Sequence, residues 1–324
     1  MAGEVLVTRR VPEKGLAVLR AAGLSVTVSP HGRPLTVAEL HAQAAGCDGL
    51  LTMLTDRVDA ALLAAAPRIR AVSNFAVGTN NVDVAACTAR RVGVANTPGV
   101  LTDATAEIAF ALVLACARRL DEGERLVRSG SWEGWEPLQL LGVGVVGKTL
   151  GLIGPGRIAA RVARMARGFD MQLLYCGRSA RPEWERDLAA RRVDLDTLLA
   201  QADFVSLHCP LTDDTRHLIG SRELALMKPT AVLINTARGP VVDEAALVTA
   251  LRTRRIFAAG LDVYEHEPTL APGLTELENV VLLPHVGSAT VETRDRMSVM
   301  AAENLVAMLA GRRPTHAVNG ELWG

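Results

Sequence analysis

Residues 149–167 read TLGLIGPGRIAARVARMAR, where an apolar run passes straight into Gly154-Pro155-Gly156-Arg157-Ile158-Ala159 and then into a helical pattern. The spacing is G-x-G-x-x-A. The first glycine permits a tight turn, the second lets a pyrophosphate approach the backbone, and a small third residue lets the helix pack on its strand. Free N–H groups and the helix dipole then hold the anion. Gly154, Pro155, Gly156, Arg157 and Ile158 are therefore expected to bind a dinucleotide, with Pro155 removing one N–H from the cradle. A second strand is expected to end at Cys176. An acid about 20 residues after the glycine turn would bind a ribose 2′-OH. Here the strand runs into Gly177-Arg178-Ser179-Ala180-Arg181, and Asp170 lies at its wrong end. Two guanidiniums and a hydroxyl suit a 2′-phosphate. The expected cofactor is NADP(H), with NAD(H) still usable; the plain alternative is a solvated basic loop.

Three more polar segments follow later apolar runs: Asn235-Thr236-Ala237-Arg238-Gly239, Asp262-Val263-Tyr264-Glu265-His266-Glu267-Pro268 and Leu283-Pro284-His285-Val286-Gly287-Ser288. Open α/β sheets bind ligands at the carboxyl ends of their strands, where these segments stand. By residue type alone, Arg238 is as readily a surface arginine, and His285 a core histidine. No His, Cys and carboxylate cluster has ligand spacing, so no metal site is expected.

The elements that must position these residues read as two βα series. Short β-rich runs at 5–8, 24–29, 49–53, 69–74 and 92–95 alternate with helical patterns at 12–22, 37–45, 59–65 and 82–89. Such alternation predicts a parallel sheet covered on both faces. Thr36 and Glu39 have the spacing of a capping box. One long helix is predicted over 103–129, as a strut between domains or a core helix. Residues 130–147 are glycine-rich, hold Trp132 and Trp135, and show no period, which marks a functional or interface segment. The second series has strands at 149–153, 172–176, 204–208, 231–235, 257–261 and 280–283, helices at 157–167 and 244–252, and a closing helix at 290–310.

Composition limits the partners. The 324 residues carry 35 Lys+Arg against 35 Asp+Glu, and 49% are hydrophobic. Neither nucleic acid nor an anionic membrane is expected as a partner. The longest apolar run, 108–117, is half the length of a membrane span of about 20 residues. Met1-Ala2-Gly3-Glu4-Val5 carries an acid where a signal peptide would be basic. Cys47, Cys87, Cys116, Cys176 and Cys209 are scattered, as expected of reduced thiols in a cytoplasmic protein.

Taken with Asn74-Phe75-Ala76-Val77-Gly78, the cofactor turn and the three late segments in order, the sequence resembles the D-isomer-specific 2-hydroxyacid dehydrogenases over nearly its whole length. Within them it looks most like the glyoxylate/hydroxypyruvate reductases, on NTPGVLTDATA at 96–106, VRSGSWEG at 127–134, Gly177-Arg178-Ser179 and LPHVGSA at 283–289. Ala159 replaces the usual third glycine.

The resemblance implies two doubly wound parallel-sheet (Rossmann-like) α/β domains with a cleft between them. Residues 1–98 plus 289–324 would form a discontinuous substrate domain, and 99–288 the dinucleotide domain, with 130–147 as a dimerisation arm of a homodimer. It implies that Arg238 grips the substrate carboxylate, that His285 is the general acid/base, and that Glu267 rather than Glu265 pairs with it. Substrate-binding positions would be Met53, Val77, Gly78, Arg238 and His285. Trp135, an aromatic in a loop without a local core, is expected to reach the partner's site and limit substrate size. Thr105, Pro210, Thr215, Thr236, Ala237, Arg238, Asp262, His285 and Gly287 would lie near the cofactor, together with Gly177, Arg178, Ser179 and Arg181. The remaining histidines, His31, His41, His208, His217, His266 and His316, match no catalytic position. The implied activity is NADPH-dependent reduction of glyoxylate to glycolate and of hydroxypyruvate to D-glycerate. Alternatives are a larger 2-oxo acid, D-3-phosphoglycerate, or a non-catalytic dinucleotide-sensing scaffold. Arg57 is the only basic residue close in sequence to Met53, which ranks the phosphorylated substrate lower.

Overall fold

The β-rich runs of the first hundred residues become strands in the computed structural model, which describes residues 3–323. They are β1 Glu4–Val7, β2 Ser25–Val28, β3 Gly49–Thr52, β4 Ala71–Asn74 and β5 Gly93–Ala95, all parallel, in the order β2-β1-β3-β4-β5. Strands β3, β4 and β5 are buried at every residue, as strands covered on both faces must be. Between them run α1 Glu13–Ala21, α2 Val37–Ala44, α3 Ala60–Ala65 and α4 Val84–Ala89. The predicted capping box is formed: Thr36 Oγ1 accepts from Glu39 N, and Thr36 N donates to Glu39 Oε2.

The second sheet holds β6 Thr149–Ile153, β7 Gln172–Cys176, β8 Arg191–Arg192, β9 Phe204–Leu207, β10 Val232–Asn235, β11 Ala258–Leu261 and β12 Val280–Leu282. Every pairing is parallel, in the order β12-β11-β10-β9-β6-β7-β8. The order reverses beside β6, the topological switch point of a doubly wound sheet. Its helices are α5 Thr102–Ala117, α6 Leu120–Arg128, α7 Arg157–Arg167, α8 Pro182–Leu188, α9 Leu195–Gln201, α10 Ser221–Leu226 and α11 Glu244–Arg252; α12 Val291–Leu309 follows the sheet.

The chain divides into two units, residues up to Leu101 together with those from Ser288 on, and Thr102–Gly287. In the first, Met297, Ala301 and Leu305 of α12 pack with Val5, Leu16 and Leu51. In the second, Phe110, Leu112 and Val113 of α5 pack with Leu150, Val162 and Ile234.

One expected element is two. The helix predicted over 103–129 breaks at Arg118–Arg119, and Arg119 adopts φ 53°, the left-handed region. The cause lies in the apolar content. It is dense through Ala117, so α5 is a core helix of its unit, whereas α6 buries no residue. The Arg119 guanidinium is held by both carboxylate oxygens of Glu122, at 2.9 and 2.6 Å. Among the described residues, no helix is long and apolar enough to cross a membrane, and no His, Cys, Asp and Glu group could hold a metal ion. All five cysteines are free; burial pushes the Cys87 thiol up to about 11 and that of Cys116 up to about 12.

Candidate active site

The glycine turn leaves β6 at the switch point. Gly154 has φ 89°, and a Cβ there would lie 2.5 Å from Cys209 N, just past β9. Both conditions exclude any larger residue. Gly156 differs: a Cβ would meet only Gly154 O, at 4.0 Å. Packing does not demand that glycine, but close approach of a phosphate to the backbone does. Gly156 caps α7 without a side-chain hydrogen bond, so the first N–H groups of that helix are available to an anion, and Ala159 is fully buried as a close helix–strand contact requires. Pro155 has a packing role that its sequence position did not reveal: a Cβ on Gly177 would fall 2.4 Å from its Cδ, so Gly177 is glycine to admit the ring.

The basic segment after β7 is anchored at both ends. Arg192 Nη2 donates to Gly177 O and Arg178 O, at 3.1 and 3.3 Å. Tyr175 Oη accepts from Arg181 N at 2.8 Å and donates to Glu185 Oε1 at 2.9 Å. The side chains of Arg178, Ser179 and Arg181 are exposed on this frame. Sequence reasoning missed Arg192, because the two-residue strand that carries it has no apolar signal. After β9, Thr215 Oγ1 donates to Pro210 O at 2.6 Å. Thr236, 8% exposed, has a buried Oγ1 with no hydrogen-bond partner among the described residues. A buried unpaired hydroxyl, an open glycine turn and an uncapped helix start fit a dinucleotide.

The second cluster stands at the ends of the neighbouring strands β10, β11 and β12. After β10, Asn235 Oδ1 accepts from Ala237 N and its Nδ2 donates to Arg238 O, both at 3.0 Å, which fixes the Arg238 backbone. Gly239 is obligatory, since a Cβ would lie 1.8 Å from the Tyr264 carbonyl carbon. After β11, buried Asp262 accepts from Val286 N and Gly287 N, both at 2.7 Å, and so shapes the turn that presents His285. Gly287 fits closely there: a Cβ would lie 3.0 Å from Asp262 Oδ2 and 3.3 Å from Thr105 Cγ2. His285 has φ 56°, a left-handed conformation rare outside glycine and held here by its surroundings. Its Nδ1 meets Glu267 Oε2 at 2.9 Å, while Glu267 Oε1 accepts from Tyr264 N at 3.0 Å. Tyr264 Oη donates to Leu283 O at 2.8 Å, tying the two segments together.

Electrostatics follow from this geometry. Burial alone would raise the Glu267 carboxyl; the hydrogen bond and charge of His285, the Tyr264 N–H and the Arg238 charge outweigh it and hold it below the usual range. Burial lowers the Arg238 guanidinium, and the Glu267 charge opposes that. Burial raises Asp262 against its two N–H donors and the His285 charge. Glu265 is engaged elsewhere: its Oε1 lies 2.5 Å from His217 Nε2, and its N–H donates to Glu244 Oε1 at 2.6 Å. His208, pushed down to about 3 by burial, is neutral near pH 7 and bonds Ser206.

In the first unit, Met53, Val77 and Gly78 follow β3 and β4. Met53 N donates to Asp56 Oδ2 at 2.7 Å, and that buried carboxylate also accepts from Thr8 Oγ1. Arg9 Nη2 reaches Thr55 Oγ1 at 3.3 Å, so a second basic residue besides Arg57 adjoins the Met53 loop. Arg57 itself pairs with Asp59. Trp135 is 83% exposed.

The switch-point turn places the second unit in the doubly wound dinucleotide-binding class. A family model described as D-isomer specific 2-hydroxyacid dehydrogenase, NAD binding domain, matches residues 110–287. The glyoxylate reductase of Aeropyrum pernix is 50% identical over 324 residues, covering 98% of this chain and 96% of its own. A protein of Thermus thermophilus superposes with a TM-score of 0.92 at 45% identity, covering 97% of this chain and 99% of that one. The NADPH-dependent glyoxylate/hydroxypyruvate reductase of Sinorhizobium meliloti, solved with NADP and malonate, gives 0.85 at 32% identity, covering 99% and 98%. The chain belongs to the D-isomer-specific 2-hydroxyacid dehydrogenase family and is an NAD(P)-dependent dehydrogenase.

Proposed function

We propose that this protein reduces glyoxylate to glycolate, and hydroxypyruvate to D-glycerate, with NADPH preferred over NADH. The observation that carries the reading is the His285–Glu267 pair at 2.9 Å, at the ends of β12 and β11, with Arg238 at the end of β10, the next strand beyond β11. Arg238 binds the substrate carboxylate and draws electron density from the reacting carbonyl through a permanent positive charge. The reduced nicotinamide supplies the hydride. His285 turns Nδ1 to Glu267, which leaves Nε2 to protonate the new alkoxide and to take that proton back in oxidation. Glu267 orients the ring and stabilises its charged form. Residues up to Leu101 with those from Ser288 serve as the substrate domain, where the N–H groups of Val77 and Gly78 receive the carboxylate and Met53 forms a pocket wall. Thr102–Gly287 serves as the dinucleotide domain.

Arg178, with Ser179 and Arg181, meets the 2′-phosphate; the frame made by Arg192 and Tyr175 holds those side chains outward, and the Sinorhizobium meliloti relative is named for NADPH. The protein acts as a cytoplasmic homodimer through 130–147, and Trp135 of that arm limits substrate size in the partner's site. The test is steady-state oxidation of NADPH and NADH with glyoxylate, hydroxypyruvate, pyruvate and a bulky 2-oxo acid. Turnover is expected to be highest with the two small substrates. Arg178→Ala is expected to raise KM for NADPH about tenfold or more, from loss of a charged hydrogen bond, while leaving NADH nearly unchanged. No turnover with any acid would favour a non-catalytic scaffold, and an unchanged cofactor ratio would remove the 2′-phosphate assignment.

A further inference from the structure

Three successive carbonyls after β4 are each tied to a donor. Ala76 O accepts from Thr97 N at 2.8 Å, Val77 O from Asn96 Nδ2 at 2.7 Å, and Gly78 O from Asn74 Nδ2 at 2.8 Å. In a planar trans peptide the N–H points opposite to the C=O. The carbonyls of Ala76 and Val77 face residues 96–97, so the N–H groups of Val77 and Gly78, in those same two peptides, face away from them. Adjacent N–H groups turned to one side form an anion-binding nest.

The donors are themselves fixed. Asn96 N donates to His316 O at 3.3 Å, and Asn96 O accepts from Asn304 Nδ2 at 3.0 Å. Asn304, on α12, is 2% exposed, and its Oδ1 accepts from His316 N at 3.4 Å. The backbone of Asn96 is thus pinned by the returning part of the chain, and its side-chain amide is left for Val77. Asn74 and Asn81 exchange amide hydrogen bonds at 3.1 and 3.2 Å, and Asn81 Nδ2 also reaches Met53 O and Asp56 O, both at 3.0 Å. The Val77–Gly78 loop and the Met53 loop are therefore one hydrogen-bonded unit.

We infer that Asn96 is a positioning residue for the substrate carboxylate: its amide sets the direction of the Gly78 N–H, and the Asn74–Asn81 pair holds that loop in register with Met53. The inference rests on the proposed role of the Val77 and Gly78 N–H groups. A neutral amide suits the task, because it donates without placing a charge beside an anionic substrate. An aspartate there would lose the donor and repel the carboxylate.

The test compares the parent protein with Asn96→Leu, which keeps the side-chain size and loses the donor, and with Asn96→Gln, which retains an amide. Asn96→Leu is expected to raise KM for glyoxylate and Ki for oxalate, a non-reacting carboxylate probe, by about tenfold or more. KM for NADPH should stay within about twofold, because the first unit's loop is concerned with the acid alone. Asn96→Gln is expected to recover part of both losses. An unchanged glyoxylate KM and oxalate Ki, with the parent active, would overturn the inference and leave the catalytic reading standing. A parallel rise in KM for NADPH would overturn it too, since a general loss of structure would then explain the effect. An inactive parent would instead sink the catalytic reading, and calorimetric titration of oxalate into parent and variant would still decide the role of Asn96. If Asn96→Leu does not fold, Asn96→Ala, which removes the donor without adding a charge, carries the same expectations.

Discussion

At the residue scale, the His285–Glu267 pair allows a signed expectation. The hydrogen bond and charge of His285 help hold the Glu267 carboxyl below its usual range, so that group is the ionised partner of the ring. Glu267→Gln removes the charge that orients His285 and should lower kcat for reduction by about 100-fold. Glu265→Gln should leave kcat nearly unchanged, because Glu265 bonds His217 and Glu244. The reverse result in steady-state kinetics of the two variants would reassign the acid. The two glutamates lie two residues apart; the resemblance pointed to Glu267, and the fold turns that carboxylate to His285.

At the element scale, length did not decide what was legible. Strands β6 and β7 and helices α7 and α11 lie where the pattern predicts them, and α3 and α4, six residues each, fall within the predicted 59–65 and 82–89. Helices α8, α9 and α10, equally brief, had no predicted bounds, because under two turns periodicity alone is a weak signal. The segment after α12 gave no signal either, yet it completes the edge of the first sheet. Ala317 bridges Ala95, and Val318 N donates to Val94 O at 2.7 Å. Asn319, 1% exposed, accepts from Val94 N at 2.7 Å and donates to Val92 O at 2.9 Å and Thr88 Oγ1 at 3.1 Å. Asn319→Leu takes the side-chain partner from the buried Val94 N–H and Val92 carbonyl, and should destabilise the protein by about 3 kcal/mol. Denaturant unfolding measures this. A loss below about 1 kcal/mol would show that the tail does not hold β5.

At the scale of the whole molecule, the apolar surface is unevenly distributed. Seven of the ten large hydrophobic residues exposed among those described lie between Leu120 and Val146, including Trp135, Leu138 at 79% and Leu141 at 58%. Contiguous exposed apolar surface marks an interface, which motivates the homodimer proposal. Burying a leucine is worth about 1.5–3 kcal/mol, and a twofold interface counts each substitution twice. Leu138→Ser with Leu141→Ser should therefore shift the protein to monomer at micromolar concentration in sedimentation equilibrium. A dimer that persists unchanged would place the interface elsewhere. The zero net charge argued only against polyanions; the charges proposed to meet ligands are local, at Arg178 and Arg238.

The sequence by itself determined the parallel α/β class, the glycine turn and the order of Arg238, Glu267 and His285, because these depend on local periodicity, backbone sterics and spacing along the chain. It also held the family membership, in text spread over nearly the full length. Tertiary structure decided what depends on residues far apart in the chain. Asp262 shapes the turn that carries His285 through Val286 N, across 24 positions, Arg192 braces the loop that begins 15 positions earlier, and Asn304 fixes Asn96 across 208. Hydrogen-bond partners of this kind are chosen by the packing of distant segments, which no local pattern encodes. The glycine turn also gained meaning in the fold: Gly154 is required by its left-handed φ and by Cys209, whereas Gly156 faces open space and is explained by a ligand.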